Sequence, residues 1–86
     1  MGNNVYYFDD FASNRYLELS FPKGAVNLKE VESHIRDSIV DHLISDIDFG
    51  EYEGNDTIMV YIDCEDYQVI KAMKNALNSV YRKFKI

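Results

Sequence analysis

The residues of this chain best placed to do chemistry are carboxylates gathered in one short stretch. Five acidic residues occupy eleven positions, namely Asp46, Asp48, Glu51, Glu53 and Asp56. Read from Asp46 as an EF-hand calcium loop, the stretch has Glu51 where the sixth position requires Gly and Thr57 where the twelfth requires Glu. The EF-hand interpretation therefore fails, and only a weak divalent-cation site among unpatterned carboxylates stays open.

Nucleophilic and metal-binding residues have no partners at a useful spacing. Cys64 is the single cysteine, at the end of a predicted buried strand, where a free thiol is expected to pack as a small hydrophobe. His34 and His42 are separated by about 80° around a helix, unlike the i, i+4 pair of a zinc helix. The chain has no phosphate-binding glycine loop, no CxxC and no GxSxG. We therefore expect no catalysis, no cofactor and no metal centre.

The elements that position these residues follow from apolar periodicity. Residues 5–11 are rich in aromatic side chains, and residues 15–21 alternate apolar and polar side chains, so both segments are predicted strands. Asn27 followed by Glu30 predicts the start of a helix, whose apolar stripe predicts an end near Ser45.

The second half of the chain repeats this order of elements. Residues 46–52 alternate as a strand, with a slip at Gly50 and Glu51 that predicts a bulge. A turn is predicted at residues 53–56, and residues 57–64 are apolar on both faces, which predicts a central strand. Asp63 or Asp66 is expected to cap a final helix that runs nearly to the C-terminus.

The predicted fold is a single α+β domain over residues 1–86 with ββαββα order. A two-layer sandwich, with a four-stranded, mainly antiparallel sheet and two helices on one face, is the simplest way to bury both helical stripes. A single cysteine favours a reducing compartment, and no apolar run approaches the roughly 20 residues that span a bilayer. We therefore expect a cytoplasmic protein without a membrane partner.

Charge is distributed unevenly along the chain. Residues 1–66 hold all 15 acidic residues and four of the nine basic residues, so they carry a formal charge of −11. Residues 67–86 carry +5, which leaves the total of −6. Such an asymmetry within a small domain predicts a polarised surface.

The acidic part of this surface predicts a site for protein binding. Tyrosines accompany the acids, and tyrosine is enriched at interfaces because it offers a large rigid contact with a polar tip. Carboxylates and tyrosines along strands would imitate a nucleic-acid backbone and dock in the basic groove of a nucleic-acid-binding protein. The predicted contact residues are Asp9, Asp10, Asp46, Asp48, Glu51, Tyr52, Glu53 and Asp56. The competing interpretation is that these carboxylates only keep a small protein soluble.

The basic residues of the final helix share one face opposite its apolar stripe. They are Lys71, Lys74, Arg82 and Lys85, with Asn78 among them. This stripe is either a second contact surface for an acidic partner or a solvated face that also suits the negative end of the helix dipole. Direct nucleic-acid binding is not expected, because the rest of the chain would repel phosphate.

The expected function is that of a small inhibitor or regulator that binds a basic protein. Phage-encoded anti-CRISPR and anti-restriction proteins and bacterial immunity proteins are likewise short, acidic and without catalytic motifs, although this comparison rests on general character alone. The alternative is a structural or homo-oligomerisation module, for example a homodimer in which the basic helix of one copy meets the acidic hairpin of the other.

Overall fold

The described chain folds into β-strands and two helices. A computed structural model describes residues 5–9, 15–39 and 43–84. In chain order its elements are β1 (Tyr6–Asp9), β2 (Arg15–Pro22), α1 (Leu28–Ser38), β3 (Ile44–Tyr52), β4 (Asn55–Ile62) and α2 (Tyr67–Phe84). The predicted α+β class, with two helices and an antiparallel sheet, is confirmed. The strand predicted over residues 5–11 is present as Tyr6–Asp9, and residues 10–14 lie outside the described part of the chain.

β4 lies between β2 and β3, and both neighbours run antiparallel to it. Leu17 of β2 and Ile47 of β3 each pair with Val60 of β4, so these three side chains form an apolar row on one face of the sheet. The central position predicted for this strand is confirmed, although the strand spans Asn55–Ile62 instead of residues 57–64. β1 pairs with the outer side of β2, which makes β1 and β3 the edges of the sheet.

Both helices pack on the same face of the sheet. A single core cluster contains strand residues Leu17, Leu19, Phe21, Ile58, Val60 and Ile62 together with helix residues Val31, Ile35, Ile70, Met73, Leu77 and Val80. Because side chains alternate along a strand, the opposite face of the sheet carries the remaining strand residues, and no other described element covers it. Within the described residues, neither helix has the length and apolar character needed to cross a membrane.

Local side-chain chemistry sets the start of each helix. The side-chain oxygen of Asn27 accepts hydrogen bonds from the backbone N–H groups of Lys29 (3.0 Å) and Glu30 (3.3 Å), which confirms the predicted start of α1. At α2, Asp66 Oδ1 accepts the N–H of Gln68 at 2.9 Å. Asp66, and not Asp63, is therefore the cap of the second helix.

The predicted end of α1 near Ser45 is wrong. The helix ends at Ser38, and Ile39 already has an extended backbone, with φ −121° and ψ 142°. Ile44 fits the apolar stripe of a continued helix, but it pairs with Ile62 in the sheet. Because its spacing suits either element, long-range strand pairing decides the outcome. Residues 40–42, which include His42, lie outside the described part of the chain.

The bulge predicted at Gly50 and Glu51 is also misplaced. The register of β3 shifts between Ile44 and Asp46, whereas Gly50 pairs regularly with Thr57. A Cβ atom on Gly50 would lie 3.0 Å from Thr57 Oγ1 and 3.3 Å from Met59 Cε. Glycine therefore makes room for neighbouring side chains at this position and does not mark an irregular backbone.

Candidate protein-docking surface

The sheet face turned away from the helices is built from alternate residues of three strands. Even-numbered residues of β2, even-numbered residues of β3 from Asp46 onward and odd-numbered residues of β4 point to this side. They are Tyr16, Glu18, Ser20 and Pro22 of β2, Asp46, Asp48, Gly50 and Tyr52 of β3, and Asn55, Thr57, Met59 and Tyr61 of β4. We call this set the open sheet face.

The open sheet face carries negative charge without positive charge. It contains three carboxylates, Glu18, Asp46 and Asp48, and neither lysine nor arginine. Met59 pairs with Glu18 on one side and with Asp48 on the other. Glu18 and Asp48 are therefore two strand spacings, about 10 Å, from each other. Because no cation lies among them, their potentials add over the whole face.

Aromatic side chains supply apolar contact area between the carboxylates. The rings of Tyr16 and Tyr61 lie side by side with centroids 5.2 Å apart and a tilt of 48°. Tyr61 also pairs with Asp46 across the strands, while Tyr52 at the far end of β3 is 66% exposed. Rigid aromatic area therefore lies beside carboxylates on the open sheet face, and tyrosine is a residue type enriched at protein interfaces.

The predicted contact residues divide between two sides of the sheet. Asp46, Asp48 and Tyr52 come together on the open sheet face. Glu51 and Asp56 pair with each other across β3 and β4 and point to the helix side. Their positions separate them from the open sheet face.

Glu51 and Asp56 bind the turn that follows β2. Glu51 Oε2 lies 2.8 Å from Lys23 Nζ, and Asp56 Oδ2 accepts the backbone N–H of Gly24 at 3.1 Å. The hydrogen bond from Lys23 to Glu51 raises the pKa of Lys23, and the charges of Glu51 and Asp56 raise it further. Both carboxylates therefore have a structural role at this turn.

Two more of the predicted contact residues, Glu53 and Asp9, lie at the ends of strands. Glu53 is exposed at the tip of the β3–β4 hairpin, where it and Gly54 have positive φ values of 49° and 79°. Asp9 ends β1 in register with Arg15, and Asp10 lies outside the described residues. Neither Glu53 nor Asp9 is one of the residues that define the open sheet face.

The predicted contact residues omit the four largest side chains that β2 and β4 contribute to the open sheet face, namely Tyr16, Glu18, Met59 and Tyr61. The sequence does indicate the strand face of these residues. Alternation places Glu18 on the face of its strand away from Leu17 and Leu19, and Met59 on the face away from Ile58. The alternation of apolar and polar residues does not reveal the pairing register, which places Glu18, Met59 and Asp48 side by side. Strand faces were predictable, and their assembly into one surface was not.

The ion pairs found among the described residues do not reach the carboxylates of the open sheet face. Among described residues, ion pairs join Arg15 to Glu65 (3.2 Å), Lys23 to Glu51 (2.8 Å), and both Lys29 (4.0 Å) and Arg36 (3.4 Å) to Glu32. None of these pairs involves a carboxylate of the open sheet face or a lysine of α2. The separation of charge expected along the chain is thus retained in the described part of the fold.

Residues with catalytic or metal-binding potential are dispersed. Within the described ranges, no group of three His, Cys, Asp or Glu side chains is arranged to hold a metal ion. Cys64 is a half-buried free thiol, and His34 packs edge-on against Phe84 with ring centroids 6.0 Å apart. The geometry that stands out is therefore the open sheet face.

The chain was compared with protein families, curated proteins and solved structures. No family model, no curated protein and no solved structure matches the chain. The fold and the surface define a class of protein by themselves, namely a small α+β domain with an acidic, tyrosine-bearing sheet face.

Proposed function

We propose that this chain binds a basic protein surface through its open sheet face and acts as a small inhibitor or regulator of that protein. The observation that carries the proposal is the combination of three carboxylates, no cation and a tyrosine pair on one uncovered sheet. Complementary charge speeds the encounter and selects basic partners, while Tyr16, Tyr61 and Met59 supply the desolvated contact area.

The partner in this proposal is a protein that itself binds nucleic acid. Asp46 and Asp48 lie two residues apart on one strand, about 6.8 Å from each other, and Glu18 adds a third charge across the sheet. A groove built for phosphates accepts such a row of charges, so the chain would compete with the nucleic acid. Anti-CRISPR, anti-restriction and immunity proteins are the type of inhibitor to which this mechanism corresponds.

The proposal takes the fold as a four-stranded, two-layer sandwich in ββαββα order. β1 is in register with Tyr16 and Glu18 of β2, so its presence widens the sheet next to the open sheet face by one strand. It also assigns the chain a non-catalytic role in the cytoplasm, where the free thiol of Cys64 stays reduced.

The decisive experiment neutralises the open sheet face without changing its shape. The triple variant Glu18→Gln, Asp46→Asn and Asp48→Asn removes three charges and keeps the oxygen with which Asp46 accepts the N–H of Ile47. Wild-type protein is used to capture partners from a lysate of the native host, and the affinity of the captured protein is then measured. We expect the triple variant to bind it about 100-fold more weakly, the effect of three interfacial charges.

A matched control separates the local effect from that of net charge. The variant Glu30→Gln, Asp37→Asn and Asp63→Asn removes the same charge from exposed positions outside the open sheet face. It is expected to weaken binding by no more than about threefold, as distant screened charges do. Equal losses in the two variants, or full affinity in the first, would refute docking through the open sheet face.

Self-association is the second candidate, favoured by the exposed edge strand β3. Phe49 is 37% exposed and Tyr52 is 66% exposed, and among the described strands β3 has a neighbour on one side only, so this edge offers apolar contacts together with backbone groups for strand pairing. It predicts a stable homodimer or larger assembly in sedimentation equilibrium. A monomer throughout the micromolar range would exclude this alternative.

A further inference from the structure

The outer edge of β3 carries backbone groups that β4 does not use. Tyr52 and Asn55 close a two-residue hairpin, and the closing pair of such a hairpin exchanges both of its backbone hydrogen bonds. Hydrogen-bonded pairs alternate along an antiparallel ladder, so the even-numbered residues of β3 bond to β4 from residue 46 onward. The odd-numbered residues point their N–H and C=O groups away from β4, and they are Ile47, Phe49 and Glu51.

Two hydrogen bonds support this phase of the ladder. Asp63, the residue after β4, donates its N–H to the C=O of Leu43 at 2.8 Å, so the odd-numbered positions of that strand bond toward β3. The N–H of Ile47 is bound by the neighbouring Asp46 Oδ1 at 2.9 Å and not by β4. β3 and all its side chains belong to the described part of the chain.

An added strand would find two kinds of support at this edge. Among the described residues, no hydrogen bond engages the outward N–H of Phe49 or Glu51, so both are open to pairing. The register shift of β3 lies at its start, between Ile44 and Asp46, which leaves residues 46–52 regular. β3 also contains no lysine and no proline, the residues that most often block pairing at a sheet edge.

Charges of opposite sign lie on the two sides of this edge. Asp46 and Asp48 are exposed on the open sheet face, about 6.8 Å from each other. On the helix side Phe49 is 37% exposed, and Lys29 Nζ lies 5.7 Å from the centre of its ring. An added strand is therefore most stable with its cations toward the open sheet face and its apolar side chains toward Phe49.

We propose that β3 binds an extended segment of the partner protein as an added strand in which basic and apolar residues alternate. Basic side chains two residues apart meet Asp46 and Asp48, because cross-strand neighbours have Cβ atoms about 4.5–5.5 Å apart. Asp46 Oδ1 holds the N–H of Ile47, which leaves Oδ2 for a cation. The backbone of the segment bonds to Phe49 and Glu51. This inference rests on the function proposed above and specifies which element of the basic partner docks.

Backbone pairing supplies affinity that the two carboxylates alone do not. Exposed ion pairs add little to binding, because solvent screens them and long side chains lose freedom. In strand addition the main-chain hydrogen bonds give affinity, and the alternating side chains give specificity. Asp46 and Asp48 therefore select a basic segment, and the edge of β3 holds it.

A second copy of this chain does not offer the required pattern. Its own β3 contains no basic residue, so no register of two β3 strands places a cation opposite Asp46 or Asp48. Each copy also carries a net charge of −6, which opposes their encounter. The occupant that fits the edge is a basic segment of a different protein.

The test is a titration of isotope-labelled full-length protein, followed by NMR and amide hydrogen exchange. The probe is a short capped peptide of alternating Val and Lys. One control peptide has Gln in place of Lys, and a second has the same composition with its lysines in adjacent pairs. We expect the alternating peptide to slow exchange of the N–H groups of Phe49 and Glu51 at least about tenfold at saturation. Both control peptides are expected to bind about tenfold more weakly.

Two pairs of protein variants test the two kinds of contact separately. Asp46→Asn with Asp48→Asn is expected to weaken peptide binding about tenfold. Glu30→Gln with Asp37→Asn removes the same charge from α1 and is expected to change it less than about twofold. Phe49→Pro removes an outward N–H, which an edge strand tolerates, whereas Phe49→Ala removes the ring and keeps that N–H. The proline variant is expected to bind at least about fivefold more weakly than the alanine variant.

N-methylated peptides test strand addition without any change to the protein. N-methylation of alternate amides blocks hydrogen bonding on one edge of the peptide, so one of the two alternating sets is expected to abolish the protection of Phe49 and Glu51. Dispersed spectra establish that each protein variant is folded. The proposal is overturned by absence of protection at millimolar peptide, by equal losses in the two charge-neutralised variants, or by tolerance of both methylated sets.

The outcomes distinguish this inference from the function on which it rests. Shifts at Tyr16, Met59 and Tyr61 without protection at β3 would mean that the partner lies flat on the open sheet face, which overturns strand addition and keeps the function. Protection by the peptide, with equal affinity of the captured partner for the open-face triple variant and its control, would support the strand site and refute the function. Protection that appears with protein concentration alone would make the edge an interface between copies and overturn the proposal.

Discussion

Glu53 occupies a backbone conformation that disfavours its own side chain. With φ values of 49° at Glu53 and 79° at Gly54, the β3–β4 hairpin closes through a type I′ turn. Asparagine tolerates the first position of such a turn better than glutamate does. We expect Glu53→Asn to raise the free energy of unfolding by about 0.5–1 kcal/mol in urea titrations.

The opposite change at the next residue is the control. A Cβ on Gly54 would meet nothing within 4 Å, so Gly54→Ala isolates the backbone cost of a positive φ. It is expected to lower the stability by about 1 kcal/mol. If both variants unfold at the wild-type midpoint, the turn does not have this geometry in solution.

The ion pair between Lys23 and Glu51 makes the stability of the fold depend on pH. The pKa of Lys23 is raised in the folded state, chiefly by its hydrogen bond to Glu51, so the stabilisation is complete below the ordinary lysine pKa. It is lost as the pH rises through the folded-state value. We expect the Nζ resonance of Lys23 to titrate at a higher pH in wild type than in Glu51→Gln. Coincident titration curves would show that the ion pair does not form in solution.

At the scale of elements, Tyr81 attaches α2 to β2. Its hydroxyl oxygen accepts the backbone N–H of Ser20 at 3.0 Å, and its ring lies 5.2 Å from that of Phe21. Tyr81→Phe keeps the ring contact and leaves the part-buried N–H without this acceptor, so we expect a loss of about 1 kcal/mol in chemical denaturation. Tyr67→Phe, at an exposed position of the same helix, is the matched control and is expected to change stability little. A loss of similar size in both would attribute the effect to helix α2 in general.

The bounds of a helix or strand can be predicted from the sequence where interactions between neighbouring residues set them. Asn27 caps α1 through its own side chain and two neighbouring N–H groups, so the sequence predicts this start correctly. Ile39 and Ile44 fit a helical stripe and a strand alike, and only the pairing of Ile44 with Ile62 resolves the ambiguity. Alternation likewise assigns Glu18 to a strand face, whereas its place beside Met59 and Asp48 needs the register of three strands.

The charge contrast between the edges of the sheet is a property of the whole molecule. Asp46 and Asp48 lie on β3 at one edge, and Lys71 and Lys74 flank β1 at the other, on the opposite side of the sheet. Three strand spacings, about 14 Å, separate the edges, more than a Debye length at physiological salt. The two charged regions therefore do not neutralise each other.

Unpaired acids kept on one face also have a cost to folding that is measurable without any partner. Glu18, Asp46 and Asp48 repel one another in the folded sheet, and no cation of that face offsets the repulsion. The variant Glu18→Gln, Asp46→Asn and Asp48→Asn is therefore expected to be more stable than wild type by about 0.3–1 kcal/mol at low ionic strength. The gain should shrink in about 1 M NaCl, where the Debye length is about 3 Å.

The control Glu30→Gln, Asp37→Asn and Asp63→Asn is expected to gain less, because those acids are dispersed over other elements. The opposite outcome is a triple variant that is less stable than wild type at both salt concentrations. It would mean that the three carboxylates stabilise the sheet, so that their presence on one face would need no docking partner to explain it.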